Sequence, residues 1–475
     1  MGCTTRQFRL TLKAKLWYAS RGEERGGSST GGRVKEGGTM MKDDAYYASR
    51  RQFLQTLAAT GAIAAADLAW WEDPFLGPRR ARAAASTVRF QFSVPEPLRI
   101  SLVESLVERF NKSQSDVEVK VEFVPQAQAR QKLITAISAG IPPDCCQIWD
   151  NWVGEFDGMN ALEDLTARIK EWTHYKDTVP VAWQTVTVKG KLLSFPWAVT
   201  NDAIFIRTDR AKEYGLKIPG PDWTWDDFLT LAKGYTKPDK NQYGFGMRGA
   251  GTWAVLYATE FLYSNGAQVL KDGKVVINSP ESVQAFEWYI DLIRKHKITP
   301  PSVATDGYRQ IVEGFGRGVT SMYLHNSGSV EEQKKFVGEP NFATLPLPLG
   351  PAKKRASFYF SETLTMFKAA KNKEGAWKFM TWLMDDEPNY DYAKTLGLLP
   401  TRQALADRPH YKHPGYQGFV KSFPFSIVSP YLAYAGWGGK LDSEGVPLFQ
   451  QAMVGKISPK ECLDKFAEVL TKNMM

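Results

Sequence analysis

The alternation of apolar and polar positions is clearest at Val117, Val119, Val121 and Phe123, where every second residue is apolar and a strand is expected. Just before it, Val103, Leu106, Val107 and Phe110 recur at helical spacing, and residues 89–93 read as a strand. This strand–helix–strand opening is that of an open α/β sheet. A helix fits residues 126–139, ended by Gly140 and Pro142-Pro143, and residues 145–149 form a short apolar strand. Further along come the segment 190–197 and the apolar run Ala203-Ile204-Phe205-Ile206. Thr224 can cap a helix with Asp227 at its third position, and Ser279-Pro280 opens another. That second helix carries Val283, Phe286, Tyr289, Ile290 and Ile293 as its inward stripe. Helices over 372–384 and 458–474 complete the pattern, the last with Ser458 as cap. No internal repeat or low-complexity linker interrupts the chain, so any domains are joined by short strands.

Length turns this pattern into two lobes, because 475 residues exceed one ordinary core. The composition is that of a soluble globular protein, with 15 Trp offering flat apolar surfaces for a core or a ligand cleft. The formal charge is +9, yet residues 1–85 hold 14 of the 60 Lys+Arg and only 8 of the 51 Asp+Glu. The remainder is nearly balanced, which argues against nucleic acid as a partner. Of four cysteines, Cys145 and Cys146 are adjacent and none forms a CxxC pair, so buried free thiols are expected. No HExxH motif is present, and His410 and His413, beside Pro409 and Pro414, are expected in a solvated loop. No metal and no cofactor is expected.

The N-terminal region reads as an export leader. Ser49-Arg50-Arg51-Gln52-Phe53-Leu54 resembles a twin-arginine signal, followed by a small-residue apolar run over 56–66 and by Ala83-Ala84-Ala85 as a cleavage site. The mature chain is expected from Ser86. Met40 or Met41 is the expected start, with residues 1–39 disordered and 40–85 the signal peptide. The run is too short to span a membrane. No Cys follows it closely, so no lipid anchor is expected.

Several segments, taken in order, resemble the family 1 extracellular solute-binding proteins, receptors of ABC importers. They are Ser138-Ala139-Gly140-Ile141-Pro142-Pro143-Asp144, Ala161-Leu162-Glu163-Asp164-Leu165, residues 190–196, and Thr224-Trp225-Asp226-Asp227. Phe315, Gly318 and Met322 match a Phe-x-x-Gly-x-x-x-Met strand, and Glu374-Gly375-Ala376-Trp377-Lys378-Phe379 matches a helix of the family. The resemblance implies a two-lobed periplasmic binding protein fold of type II, each lobe an open α/β sheet flanked by helices. Lobe 1 would comprise 86–199 with 347–398, and lobe 2 200–346 with 399–475. The ligand cleft would lie between them, a membrane permease would recognise the closed form, and the protein would act as a monomer.

A sugar needs aromatic plates for its CH faces and polar side chains for its hydroxyls. Trp149-Asp150-Asn151-Trp152 supplies both in one expected loop after a strand end. By resemblance, Ser93 and Glu96, Trp197 and Asn201 at the first crossover, Trp253, Glu362 and Trp437 are further cleft candidates. After Met322 the maltose-binding members carry Asn-Gly-Pro-Trp. Here His325-Asn326-Ser327-Gly328 follows, with Asn326 as the polar candidate, and a maltodextrin is disfavoured. Two other solutes remain open: a sugar or glycerol phosphate ester, for which Arg248 is the candidate, and a polyamine. A glycoside-active enzyme would need Asp150 and Glu362 as a carboxylate pair. No nucleophile elbow or phosphate-cradling glycine loop supports an enzyme.

Overall fold

The computed structural model describes residues 85–433 and 437–473, with the backbone alone at 127, 432, 433, 437 and 438. The leader readings, the early start and Cys3 fall outside the described residues.

Chain order begins with strand β1 (Ser86–Phe92), helix α1 (Pro97–Ser113), β2 (Val117–Phe123), β3 (Cys145–Trp149) and helix α2 (Asp150–Gly158). Strands β4 (Ser194–Thr200) and β5 (Asp202–Arg207) are separated by Asn201 alone. Then come β6 (Tyr243–Gly246), helix α3 (Trp253–Ser264), helix α4 (Pro280–Arg294), β7 (Thr320–Asn326) and β8 (Phe342–Leu345). The long β9 (Ser357–Met366), helix α5 (Asp386–Thr395), β10 (Leu399–Pro400) and β11 (Ser426–Val428) follow.

Two mixed sheets result. The first runs β10-β4-β9-β3-β1-β2, with β11 beside the start of β9. β1 is parallel to β2 and β3, whereas β9 is antiparallel to β3 and β4. The second runs β8-β5-β7-β6. Helices cover both sheets, and each sheet has its own core. Phe90, Phe92, Phe110, Trp197 and Phe379 fill one, and Phe205, Phe315, Tyr323, Phe342 and Phe419 the other.

Local chemistry explains many of the boundaries. Thr224 and Asp227 form a reciprocal capping box, which satisfies two helix-end donors. Ser279 caps α4 with Pro280 in the first turn, and Asn372 caps the helix Lys373–Leu383. The Pro-Pro-Asp segment has a mechanical reason. Buried Asp144 accepts the N–H groups of Arg89 at 2.8 Å, Lys371 at 2.7 Å and Asn372 at 3.0 Å, tying β1 to the returning chain.

Two expectations are corrected. Phe315 ends a helix (Tyr308–Gly316) rather than lying in a strand; Gly318 turns the chain at φ +78, and β7 starts only at Thr320. His410 is largely buried rather than solvated, beside Tyr411 and Tyr416, and burial pulls its pKa down to about 4. Residues 346–355 are held by residues of the second lobe. Trp223 Nε1 donates to the Pro346 carbonyl at 2.8 Å, Leu349 N–H to Trp223, and Arg355 to the Pro221 carbonyl, so this stretch stays on the second lobe. β10 pairs with β4, and Thr401 donates to the Pro196 carbonyl at 2.7 Å, so residues 399–402 are held on the first sheet. Cys145, Cys146 and Cys462 are buried free thiols, and burial pushes Cys462 up to about 12.

Candidate functional site

Strand β9 gathers four of the candidates, Trp149, Asp150, Trp253 and Glu362. Its residues alternate sides, which puts Phe360 and Glu362 on one face and Ser361 and Thr363 on the other. Trp149 lies directly opposite Glu362 in the β3–β9 ladder, so the two side chains share a face. The Trp149 ring is half-buried and its Nε1 has no hydrogen-bond partner among the described residues. The expected loop does not exist: Trp149 is the last strand residue and Asp150 the first of α2. Asp150 is buried and accepts the Ser361 N–H at 2.8 Å, which fastens α2 to β9. Burial pushes its pKa up to about 7. Asn151 is half-buried in the first turn.

Glu362 is 2 % exposed and would be costly there without partners. Arg99, from the first turn of α1, supplies them: its Nη1 lies 2.8 Å and 3.0 Å from the two carboxylate oxygens. Tyr392 Oη, from α5, donates to the same carboxylate and accepts from Arg99 at 3.1 Å. Arg99 also faces exposed Glu96 at 3.7 Å. Glu362 holds the Arg99 pKa above its ordinary value despite burial. Neither Arg99 nor Tyr392 was singled out from the sequence. Their partner is remote in the chain, and nothing local marks either residue.

The second lobe contributes Trp253, the first residue of α3. Its ring meets Phe360 edge-on at 5.0 Å and Tyr257 at 5.5 Å. Arg248, half-buried, donates Nε to the Ala250 carbonyl at 3.1 Å. Asn326 ends β7 and its side chain accepts the Gly328 N–H at 3.1 Å, which occupies it locally. Its neighbour His325 is buried among Tyr257, Tyr308 and Tyr323, with Nδ1 2.9 Å from Ser329 Oγ. Burial pulls its pKa down to about 3, so it is neutral.

Four candidates are internal instead. Trp197 is stacked on Tyr392 with centroids 3.6 Å apart and planes at 14°. Trp152 packs on Phe156 in a buried cluster, because the first turn of α2 turns it inward. Ser93 is spent on Gln147, donating to its carbonyl at 2.9 Å. Asn201 donates to the Phe419 carbonyl at 2.9 Å and fixes the crossover. The Trp437 side chain lies outside the described residues. Half-buried Trp149, Phe360 and Trp253 with Glu362, Arg99 and Glu96 therefore remain, and they suit non-covalent recognition of a small solute with apolar and hydroxyl faces. A hollow of about 630 Å³ lined by Leu216, Pro219, Trp223 and Leu231 shares no residue with this set. Among the described residues no cluster of three or more His, Cys, Asp or Glu could hold a metal.

Two α/β lobes joined by short crossing strands, with aromatic and charged side chains gathered where they meet, define a two-lobed solute-binding protein. The chain belongs to the bacterial extracellular solute-binding protein family, whose profile matches residues 96–390. It is 24% identical over 385 residues to the erythritol/L-threitol-binding protein of Mycolicibacterium smegmatis, covering 74% of this chain and 78% of that one. It is 24% identical over 402 residues to the maltotriose-binding protein of Pyrococcus abyssi, covering 80% and 81%. Among solved structures it resembles the sugar-binding protein MalE of Xanthomonas citri, with TM-score 0.72, 23% identity, and 82% and 98% of the two chains covered. The family is extracytoplasmic. Among the described residues no helix is long and apolar enough to cross a membrane.

Proposed function

We propose that this protein is the receptor of an ABC importer for a neutral carbohydrate or polyol, exported by the twin-arginine route and acting as a monomer without catalysis. The observation that carries this reading is the face of β9. There Phe360 and Glu362 stand beside Trp149 from one lobe and Trp253 from the other, so apolar plates and hydroxyl-binding groups converge at the junction. Relatives that bind a four-carbon polyol and a trisaccharide support polyhydroxylated solutes as the class. The residues after Met322, Tyr323 to Gly328, lack the Trp of the Asn-Gly-Pro-Trp that the maltose-binding members carry there, which favours a smaller solute than a maltodextrin. Binding would shift the lobes toward closure and present the closed form to the permease.

The test is a thermal-shift and Trp-fluorescence screen of the purified protein against sugars, polyols, sugar phosphates and polyamines. A neutral polyhydroxylated ligand at 100 times its Kd should stabilise the protein by about 2.7 kcal/mol. Stabilisation by phosphate esters or polyamines alone would refute the solute class. Sustained glycoside turnover would refute the receptor role.

A further inference from the structure

At the junction of the lobes sits a buried pair of acids that the solute site does not use. Asp202 is the first residue of β5, directly after the crossover residue Asn201. Its backbone is tied to the start of β9 twice: its N–H donates to Ser357 Oγ at 2.7 Å, and that hydroxyl donates to its carbonyl at 2.9 Å. Glu260 comes from α3 and is fully buried; its Oε1 accepts the Phe358 N–H at 2.5 Å. Asp202 and Glu260 hold the adjacent residues Ser357 and Phe358, which brings their two carboxyl groups together. Both Asp202 oxygens and Glu260 Oε2 are buried with no N–H or O–H donor from the described residues.

We propose that Glu260 is a neutral carboxylic acid whose Oε2–H donates to Asp202 while its Oε1 accepts the Phe358 N–H, and that this tie positions Trp253 against β9. Two facing carboxylates in a dry site cannot both ionise, so one proton stays with the pair. The surroundings choose its holder. Burial pushes Asp202 up to about 7, while the hydrogen bond from Glu260 and the charge of Arg248 work against that and favour its charged form. Burial and the Asp202 charge both push Glu260 up. The titratable groups around the pair add no charge: burial keeps Tyr257 on α3 and Tyr289 on α4 protonated, and His325 on β7, which packs on Tyr257, neutral.

The positioning follows from spacing. Trp253, Tyr257 and Glu260 lie at i, i+4 and i+7, on one side of α3. Phe358 and Phe360 lie two apart, on one face of β9. The helix thus meets the strand at two points, Glu260 on Phe358 and Trp253 on Phe360. The bearing of this on solute binding rests on the proposed receptor role, but the proton does not.

The test uses solute-free full-length protein. Infrared spectra at neutral pH should show a protonated carboxylic-acid band that is lost in the E260Q minus wild-type difference. Gln keeps an acceptor for Phe358 and a donor for Asp202, so E260Q should retain slow exchange of the Phe358 amide, whereas E260A should speed it. Acids with raised pKa stabilise most at low pH, and that stability is lost as pH rises through the folded pKa. Wild-type Tm should therefore fall more than that of E260Q from neutral to alkaline pH. Equal slopes, or no band lost in E260Q, would overturn the proposal. If neither variant folds, a wild-type infrared titration with no protonated acid at neutral pH would overturn it as well. A protein that keeps the band but binds no polyhydroxylated solute would sink the proposed solute and leave the acid pair standing.

Discussion

Glu362 shows how one residue couples stability to the site. Its charge is inside the first sheet, and what keeps it there is Arg99 Nη1 at 2.8 Å together with the Tyr392 hydroxyl. Removing one member of a buried pair costs more than the pair contributes, because the other charge is left without compensation. Glu362→Ala should therefore destabilise the protein by about 3–5 kcal/mol in urea unfolding, as for other broken buried pairs. Glu362→Gln, which keeps an acceptor for Tyr392 and Arg99, should cost less. Equal losses in the two variants would mean that packing, not charge, decides the cost.

At the scale of elements, caps decide where helices begin. The Thr224–Asp227 capping box satisfies two donors at the start of the helix Trp225–Tyr235, whose Trp225 and Phe228 enter the second core. Thr224→Ala should cost about 1 kcal/mol in denaturant unfolding without changing the m-value. Such signals are short-range, and that is why they were legible in the sequence: Thr224, Ser279, the stripe of α4 and the 145–149 strand all act within a few residues. What was not legible depends on contacts remote in the chain. Arg99 and Glu362 are 263 residues apart, so neither announces the other. Trp152 and Trp197 carry the same side chain as Trp149 and Trp253, but α2 turns Trp152 inward and Tyr392 covers Trp197. The Phe315 motif was misread because a helix end and a strand start, bent at Gly318, carry the same apolar residues as a continuous strand. The hold of Trp223 and Pro221 on residues 346–355 is likewise a contact between segments more than a hundred residues apart.

For the whole molecule, the relevant quantity is the free-energy difference between lobe arrangements, which a solute shifts only by contacts that differ between them. Trp149 belongs to the first lobe and Trp253 to the second, so a solute touching both would gain more when the lobes close on it. Trp197, by contrast, packs within the first lobe alone. The three residues therefore make an internal comparison. Trp149→Ala and Trp253→Ala should each weaken solute binding tenfold or more, equivalent to about 1.4 kcal/mol or above, with a smaller loss of stability. Trp197→Ala should instead cost about 3–5 kcal/mol of folding stability, as for other buried aromatics. Isothermal titration with the best solute from the screen, beside urea unfolding of all three variants, separates the two behaviours. Small-angle scattering of the wild type should show the radius of gyration fall on adding that solute, and the fall should need more solute in Trp253→Ala. Unchanged affinity in both Trp149→Ala and Trp253→Ala would move the solute off the face of β9.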